Sequence, residues 1–360
     1  TSANGNVIIG DAAVETGVLT GNNNVVIGKL AGNDMTSAAG NVLIGEDAGA
    51  NLTTGGSNVV IGQGAGEAVT TGGSNILIGV NAGNNYDTEG SNIGIGYDAL
   101  GGSVAGGENN IALGNGALDV LTSGDNNVVT GTNAGGGVTS SNQNTCIGDA
   151  AGATISSGNG KNTVLGKDAF TGSLTTGNNN IGIGHSVKVS TGAANFQFVI
   201  GDNVTGNGNS TTTIGYDTTE IATAHGSADW AAVSDERYKK DITSSTAGLA
   251  FINDLRPVTF KFKQKNELAT DIYGYDADST DTDGYTDEIA HGFVAQEIKT
   301  AIDNHSEVKA GQGIWKQAAD AKSNRQSVSH TAMIPMLVKA LQEADDKIDA
   351  LTARVTTLEG

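Results

Sequence analysis

A glycine closes a short apolar run every 17 or 18 residues over positions 1–217, and no other feature limits the fold so tightly. It stands at Gly10, Gly28, Gly45, Gly62, Gly79, Gly96, Gly114, Gly131, Gly148, Gly166, Gly184 and Gly201, with a last step of 14 to Gly215. A fixed period this short describes a solenoid with one coil per repeat, since one coil buries too little to be stable alone and relies on stacking. Four residues before the glycine stands an asparagine, from Asn6 and Asn24 through Asn162 and Asn180, with Gln197 in the twelfth coil. Stacked amides at one position predict a ladder of side-chain hydrogen bonds running from coil to coil.

One and three residues before the glycine come aliphatic side chains such as Val25 and Ile27, or Ile76 and Ile78. Their period-two spacing puts both on one face of a short strand, and that face is expected to form the interior together with the amide. The residue between them varies (Val26, Leu43, Gly94, Ala112, Cys146, Gly182) and is expected to face solvent or neighbouring chains. Three residues after the glycine an alanine recurs, as in Ala48, Ala65 and Ala82, small enough for the inside of a coil corner. The rest of each repeat, such as Thr53-Thr54-Gly55-Gly56-Ser57, is turn chemistry, and no proline interrupts the ladders before Pro257. Thirteen coils at roughly 4.8 Å predict a shaft about 60 Å long.

Composition agrees with a thin repeated core. Glycine accounts for 54 of 360 residues and aromatics for only 4%. The regular Val, Ile and Leu positions exclude a disordered chain. A net charge of −20 opposes nucleic acid and anionic membrane as partners and reads as a solvated acidic surface. Cys146 is the single cysteine, so no disulfide forms within one chain. Neither a secretory signal nor an apolar run of membrane-spanning length is visible. The chain starts at Thr1 without Met, as a fragment or a processed product would.

The Asn-x-x-Ile-Gly-x-x-Ala pattern of residues 1–217 resembles the head repeats of trimeric autotransporter adhesins, and also repeats of phage-type fibres. The resemblance implies a parallel β-roll in which three chains wind side by side. Gly62-Gln63-Gly64-Ala65-Gly66 and its equivalents recur as part of the repeat, without a Lys-Ser/Thr or strand–helix context, which excludes a phosphate loop.

After Tyr216 the period stops. Residues 218–233 read as a linker or neck, and the chemistry that follows differs in kind, with mixed charge and both prolines. The run Ser234-Asp235-Glu236-Arg237-Tyr238-Lys239-Lys240-Asp241-Ile242 closely resembles the start of the endosialidase-type intramolecular chaperone domain, a C-terminal trimerising module of phage tail spikes and fibres. Three further matches follow in order: Leu255-Arg256-Pro257-Val258-Thr259-Phe260, Gly292-Phe293-Val294-Ala295-Gln296-Glu297, and Ile334-Pro335 through Ala340-Leu341-Gln342-Glu343. The resemblance implies a self-cleaving dyad, with Ser234 the nucleophile and Lys239 the general base. A serine hydroxyl needs a base, and a lysine serves as one only when burial brings its pKa down from about 10.4. Three chains closing around the site would supply that burial. The plainer reading makes Ser234 a helix N-cap, with Asp235 and Glu236 in the first turn and Lys239 a surface charge.

Ile334, Leu337, Leu341, Ala344, Ile348, Leu351, Val355 and Leu358 are spaced alternately three and four apart, an a/d seam over roughly 36 Å of helix. Ile and Leu at both seam positions lean towards three strands, although the seam could instead pack on its own domain. Weaker candidates carry little. Asp276 to Glu288 (DADSTDTDGYTDE) has the wrong register for a calcium loop and reads as an acidic surface hairpin. His185, His225, His291, His305 and His330 show no metal-ligand spacing, so no metal and no cofactor is expected.

The sequence therefore predicts a mainly β chain with three parts. A trimeric parallel β-solenoid shaft spans 1–217, a neck 218–233, and an α+β chaperone domain 234–360 ends in a coiled coil at 334–358. The expected role is a homotrimeric tail fibre or spike of a phage or phage-like particle, attached at a virion tail or its extracellular counterpart. Its expected partners are further copies of itself, a host cell-surface receptor (glycan or protein) and other tail or baseplate proteins, with no nucleic acid and no membrane insertion. A trimeric bacterial surface adhesin is the alternative, and it would need a membrane anchor. A glycan-degrading enzyme has no substrate cleft or paired-carboxylate spacing to support it.

Overall fold

The computed structural model describes residues 4–16, 18–102, 107–158, 160–227, 231–232, 236–268, 270, 277–278, 289–308, 313–317 and 326–359. They fall into two compact units, Thr1–Tyr238 and Lys239–Gly360. In the first unit thirteen strands stack in chain order from β1 (Val7–Ile9) to β13 (Thr211–Tyr216), each parallel to the next, as a β-solenoid. Register follows the repeat: Val59 lies opposite Ile76, Val60 opposite Leu77 and Ile61 opposite Ile78.

The asparagine column is buried and forms the expected ladder. The Asn41 side-chain oxygen accepts from the backbone N–H of Asn58 at 2.8 Å and from its Nδ2 at 3.1 Å. The Asn58 oxygen in turn accepts from the Asn75 backbone N–H at 2.9 Å. Most of the amide nitrogens also cross the coil, as Asn58 Nδ2 does to the carbonyl of Gly72 at 2.9 Å, whereas Asn144 Nδ2 donates to Ser141 Oγ. An interior carbonyl that the narrow coil denies to water is thereby satisfied. Gln197 keeps the ladder through its backbone N–H, which donates to Asn180 Oδ1 at 3.0 Å, while its longer side chain turns to Ser190.

The parity of the strands is the reverse of the expected one. Val26, Leu43, Val60, Leu77, Ala112, Cys146 and Val164, the variable middle residues, are fully or almost fully buried. Their neighbours one and three before the glycine are half-buried or exposed and point outward. The cause is the amide itself. The ladder asparagine is inside, and the residue two positions on shares its face, so the aliphatic residues at odd spacing must face out.

Variation at the inward position reflects shared volume rather than exposure. Where that position is glycine, a large side chain four residues after the repeat glycine fills the space: Leu100 packs on Gly94 and the ring of Phe170 on Gly182. The alanine column and a larger residue seven after the glycine (Met35, Leu52, Val69, Tyr86) complete each buried layer. The repeat glycine is required by close approach. At Gly62 φ is +138°, and an added Cβ would sit 2.3 Å from the carbonyl oxygen of Gly79 in the next coil.

Residues read as a neck extend the same sheet. Strand β14 (Thr219–Ala224) turns back antiparallel on β13, and β15 (Ala231–Ala232) pairs antiparallel with β14. The ladder therefore ends in a hairpin rather than in an open parallel edge.

The second unit is α+β. Helix α1 (Leu249–Asn253) precedes β16 (Val258–Phe260), which pairs antiparallel with β17 (Ala290–Gly292). Helix α2 (Ala295–Asn304) follows. A second hairpin joins β18 (Trp315–Gln317) to β19 (Gln326–Val328), and the 26-residue helix α3 (Ile334–Glu359) closes the chain. Ala247, Phe251, Ile298, Ala301, Ile302, Val308, Ile314 and Met333 form the core.

Candidate functional site

The three downstream motifs fold into one small unit. The Leu255–Phe260 run supplies β16, and Gly292–Glu297 ends β17 and opens α2. Strand pairing puts Val258 opposite Gly292 and Phe260 opposite Ala290, so the first two motifs meet directly. An ion pair that spacing alone did not reveal joins them again. Arg256 donates Nε to Glu297 at 3.0 Å and Nη2 to the other carboxylate oxygen, a forked geometry. The carboxylate holds the guanidinium above its usual pKa, and Glu297 lies below the usual carboxylate range for the same reason.

The third motif reaches the first turn of the domain. Glu343 on α3 accepts the backbone N–H of Leu249 at 2.8 Å, which gives α1 the N-terminal cap that its own Gly248 lacks. His305, just past α2, is held between Asp254 (Nε2 to Oδ2, 2.8 Å) and Glu307 (Nδ1 to Oε1, 2.9 Å). Its pKa is raised, first by the hydrogen bond to Asp254 and then by that to Glu307. The only advance signal for these two links was that their members sit within or beside the quoted motifs.

Of the sequence-predicted dyad, Ser234 lies outside the described residues. Lys239 is exposed and follows a 3-10 turn, Glu236–Tyr238. The acidic stretch 276–288 lies outside the described residues apart from Ala277 and Asp278. Among the described residues no group of three or more His, Cys, Asp or Glu is placed to hold a metal ion. His291 and His330 line an open depression of about 470 Å³ with Pro257, Thr259 and Phe293, and among the described residues no carboxylate lines it. His185 pairs instead with Asp202 of the next coil, at 2.7 Å on the exposed shaft surface.

The heptad seam is helical as expected. Ile334, Leu337, Leu341, Ile348, Leu351, Val355 and Leu358 are all exposed, Leu341 at 71% and Leu358 at 85%. Beyond Ala340, no side chain of α3 is buried among the described residues. The N-terminal turns of α3 pack against α1, whereas the apolar stripe from Ile348 to Leu358 is exposed throughout. No described helix is long and apolar enough to cross a membrane.

No curated protein and no solved structure matches the chain. One family model does, over residues 234–307, and its description is chaperone of endosialidase. The match begins at the Ser234 run and takes in α1, β16, β17 and α2, with the Arg256–Glu297 pair that ties them together. Residues 234–307, which follow a long parallel β-solenoid in the chain, match a chaperone of endosialidase domain.

Proposed function

We propose that the chain is a homotrimeric, tail-fibre-like structural protein of a phage or phage-like particle, in which the solenoid is the shaft and the C-terminal domain directs assembly. The observation that carries this reading is the sequence of parts on one polypeptide: a long parallel solenoid, then a match to a chaperone of endosialidase domain, then a helix whose a/d seam is exposed from Ile348 to Leu358. Self-similar coils need such an assembler. Rungs that repeat every 17 or 18 residues can pair one coil out of step at small cost, whereas a local association at one end sets the register before the shaft zips. Surface loops of the shaft would meet a host-surface receptor, and the other end other tail components.

Self-cleavage at Ser234 belongs to the same proposal. Ser234 Oγ would attack the carbonyl carbon of Val233 while Lys239 takes the hydroxyl proton; the Val233–Ser234 C–N bond breaks as that proton passes to the freed amine, and water then hydrolyses the ester to a Val233 carboxylate and restores the hydroxyl. Lys239 is exposed in one copy, and the reaction would wait for association to bury the site. Cutting would then report correct assembly. Native mass measurement of purified protein tests both parts at once. A particle of three copies, with a denaturing gel that shows fragments 1–233 and 234–360 and a Ser234→Ala variant that stays whole, is the expected result. A monomer overturns the assembly reading, and a single uncut band from the unaltered chain overturns the cleavage.

A further inference from the structure

The reversed strand parity leaves two rows of aliphatic side chains on the outside of the solenoid. One row runs through Val59 and Ile76, the other through Ile61 and Ile78, and both continue coil after coil at the same two positions. The rows contain no charged residue anywhere from Val7 to Ile214, in a chain of net charge −20. Rungs above and below cover the flanks of every such side chain, yet Ile95, Val128, Ile147, Ile183 and Phe198 remain 38–43% exposed. In a rod, that is the whole outward tip.

We propose that this two-row stripe is the face on which the shafts of neighbouring copies of this chain pack, parallel and rung against rung. The inference rests on the assembly reading above and assigns its surface. Two arguments identify the occupant. A stripe with one apolar pair per coil mates along its full length only with a surface of the same pitch, and a second copy offers that pitch in every rung. Size agrees: two tips in each of about a dozen rungs expose on the order of 1,000 Å² per copy, against roughly 800 Å² per partner in a standard stable interface and a few hundred Å² of contiguous apolar patch on a typical monomer. Charge agrees as well, because strongly acidic copies approach most easily along a face that carries none. The stripe also explains why outward positions are nearly as aliphatic as a core.

Thiol placement tests the assignment. The double variant Ile76→Cys/Ile78→Cys puts both outward rows of one rung within reach of a short bismaleimide. Thr54→Cys places a thiol on an exposed turn of another side of the coil. Cys146, the only native thiol, is buried with its pKa pushed up to about 12 and stays silent. The outward substitutions are mild, since the chain itself carries Thr145 and Thr163 in the same row. Expected is a shift of most of the shaft-bearing band to multiples of its mass on a reducing denaturing gel for the double variant, and no shift for Thr54→Cys. A native particle of several copies in which the double variant fails to cross-link, or in which Thr54→Cys links instead, overturns this face and leaves the assembly reading standing. A monomeric native mass overturns both.

Discussion

Replacing Asn58 by leucine would keep the volume of the side chain and remove its hydrogen bonds from the middle of the ladder. Asn58 is 1% exposed. Its oxygen accepts the backbone N–H of Asn75 at 2.9 Å, and its Nδ2 donates to the carbonyl of Gly72 at 2.9 Å. Leucine orphans both groups, while the Asn58 backbone N–H keeps its bond to Asn41 Oδ1. A buried donor or acceptor left unmade costs about 1–3 kcal/mol, so the two together cost about 2–6 kcal/mol. Stability in a solenoid is a sum of coils and their interfaces, and the penalty falls locally. Native-state hydrogen exchange reads it. The amides of Asn75 and of strand Ile76–Ile78 should exchange roughly 30-fold to 10⁴-fold faster, at about 1.4 kcal/mol per tenfold. Coils many rungs away should change little. A variant whose Asn75 amide exchanges as slowly as before would refute the argument that the amide column, rather than the aliphatic layer alone, holds neighbouring rungs together.

Further outcomes follow from other positions. Gly182→Ala builds a Cβ 2.6 Å from the Phe170 ring, and overpacking of this kind costs about 1–3 kcal/mol in a thermal melt; Phe170→Leu in the same chain should recover most of it. Ile348→Asp on the exposed seam of α3 should leave the fold of a single copy intact and raise the dissociation constant at least about tenfold by sedimentation. His305 has a folded pKa above its unfolded value, so its contribution to the C-terminal domain is fully present below the unfolded pKa of about 6.5 and is lost as pH rises through the folded one. Urea midpoints of that domain measured from mildly acidic to mildly alkaline pH should fall across that window, and His305→Gln should flatten the fall.

The solenoid was legible because its cause is local and repeated. The period, the buried amide at Asn58 and Asn75 and the small corner residue at Ala65 each depend on contacts between identical positions one coil apart, and a repeat displays such contacts in a single line of sequence. The a/d spacing from Ile334 to Leu358 announced helix α3 in the same local way. The direction in which each strand faces was not so visible. Aliphatic residues such as Ile61 and Ile78 looked like a core because they are the most regular, yet regularity serves an outer face that must match rung after rung. The interior tolerates Gly94 and Gly182, because Leu100 and Phe170 take up the slack.

Only the tertiary structure settled that choice. An amide locked to the coils above and below must be inside, and a strand that alternates at every residue then has no freedom left. The same holds for Arg256 with Glu297 and for Glu343 over Leu249, pairs 41 and 94 residues apart. Spacing along a chain carries the period of an element, but which of its faces is inside, and which distant charges meet, depends on the closing of the coil or the packing of helix on helix.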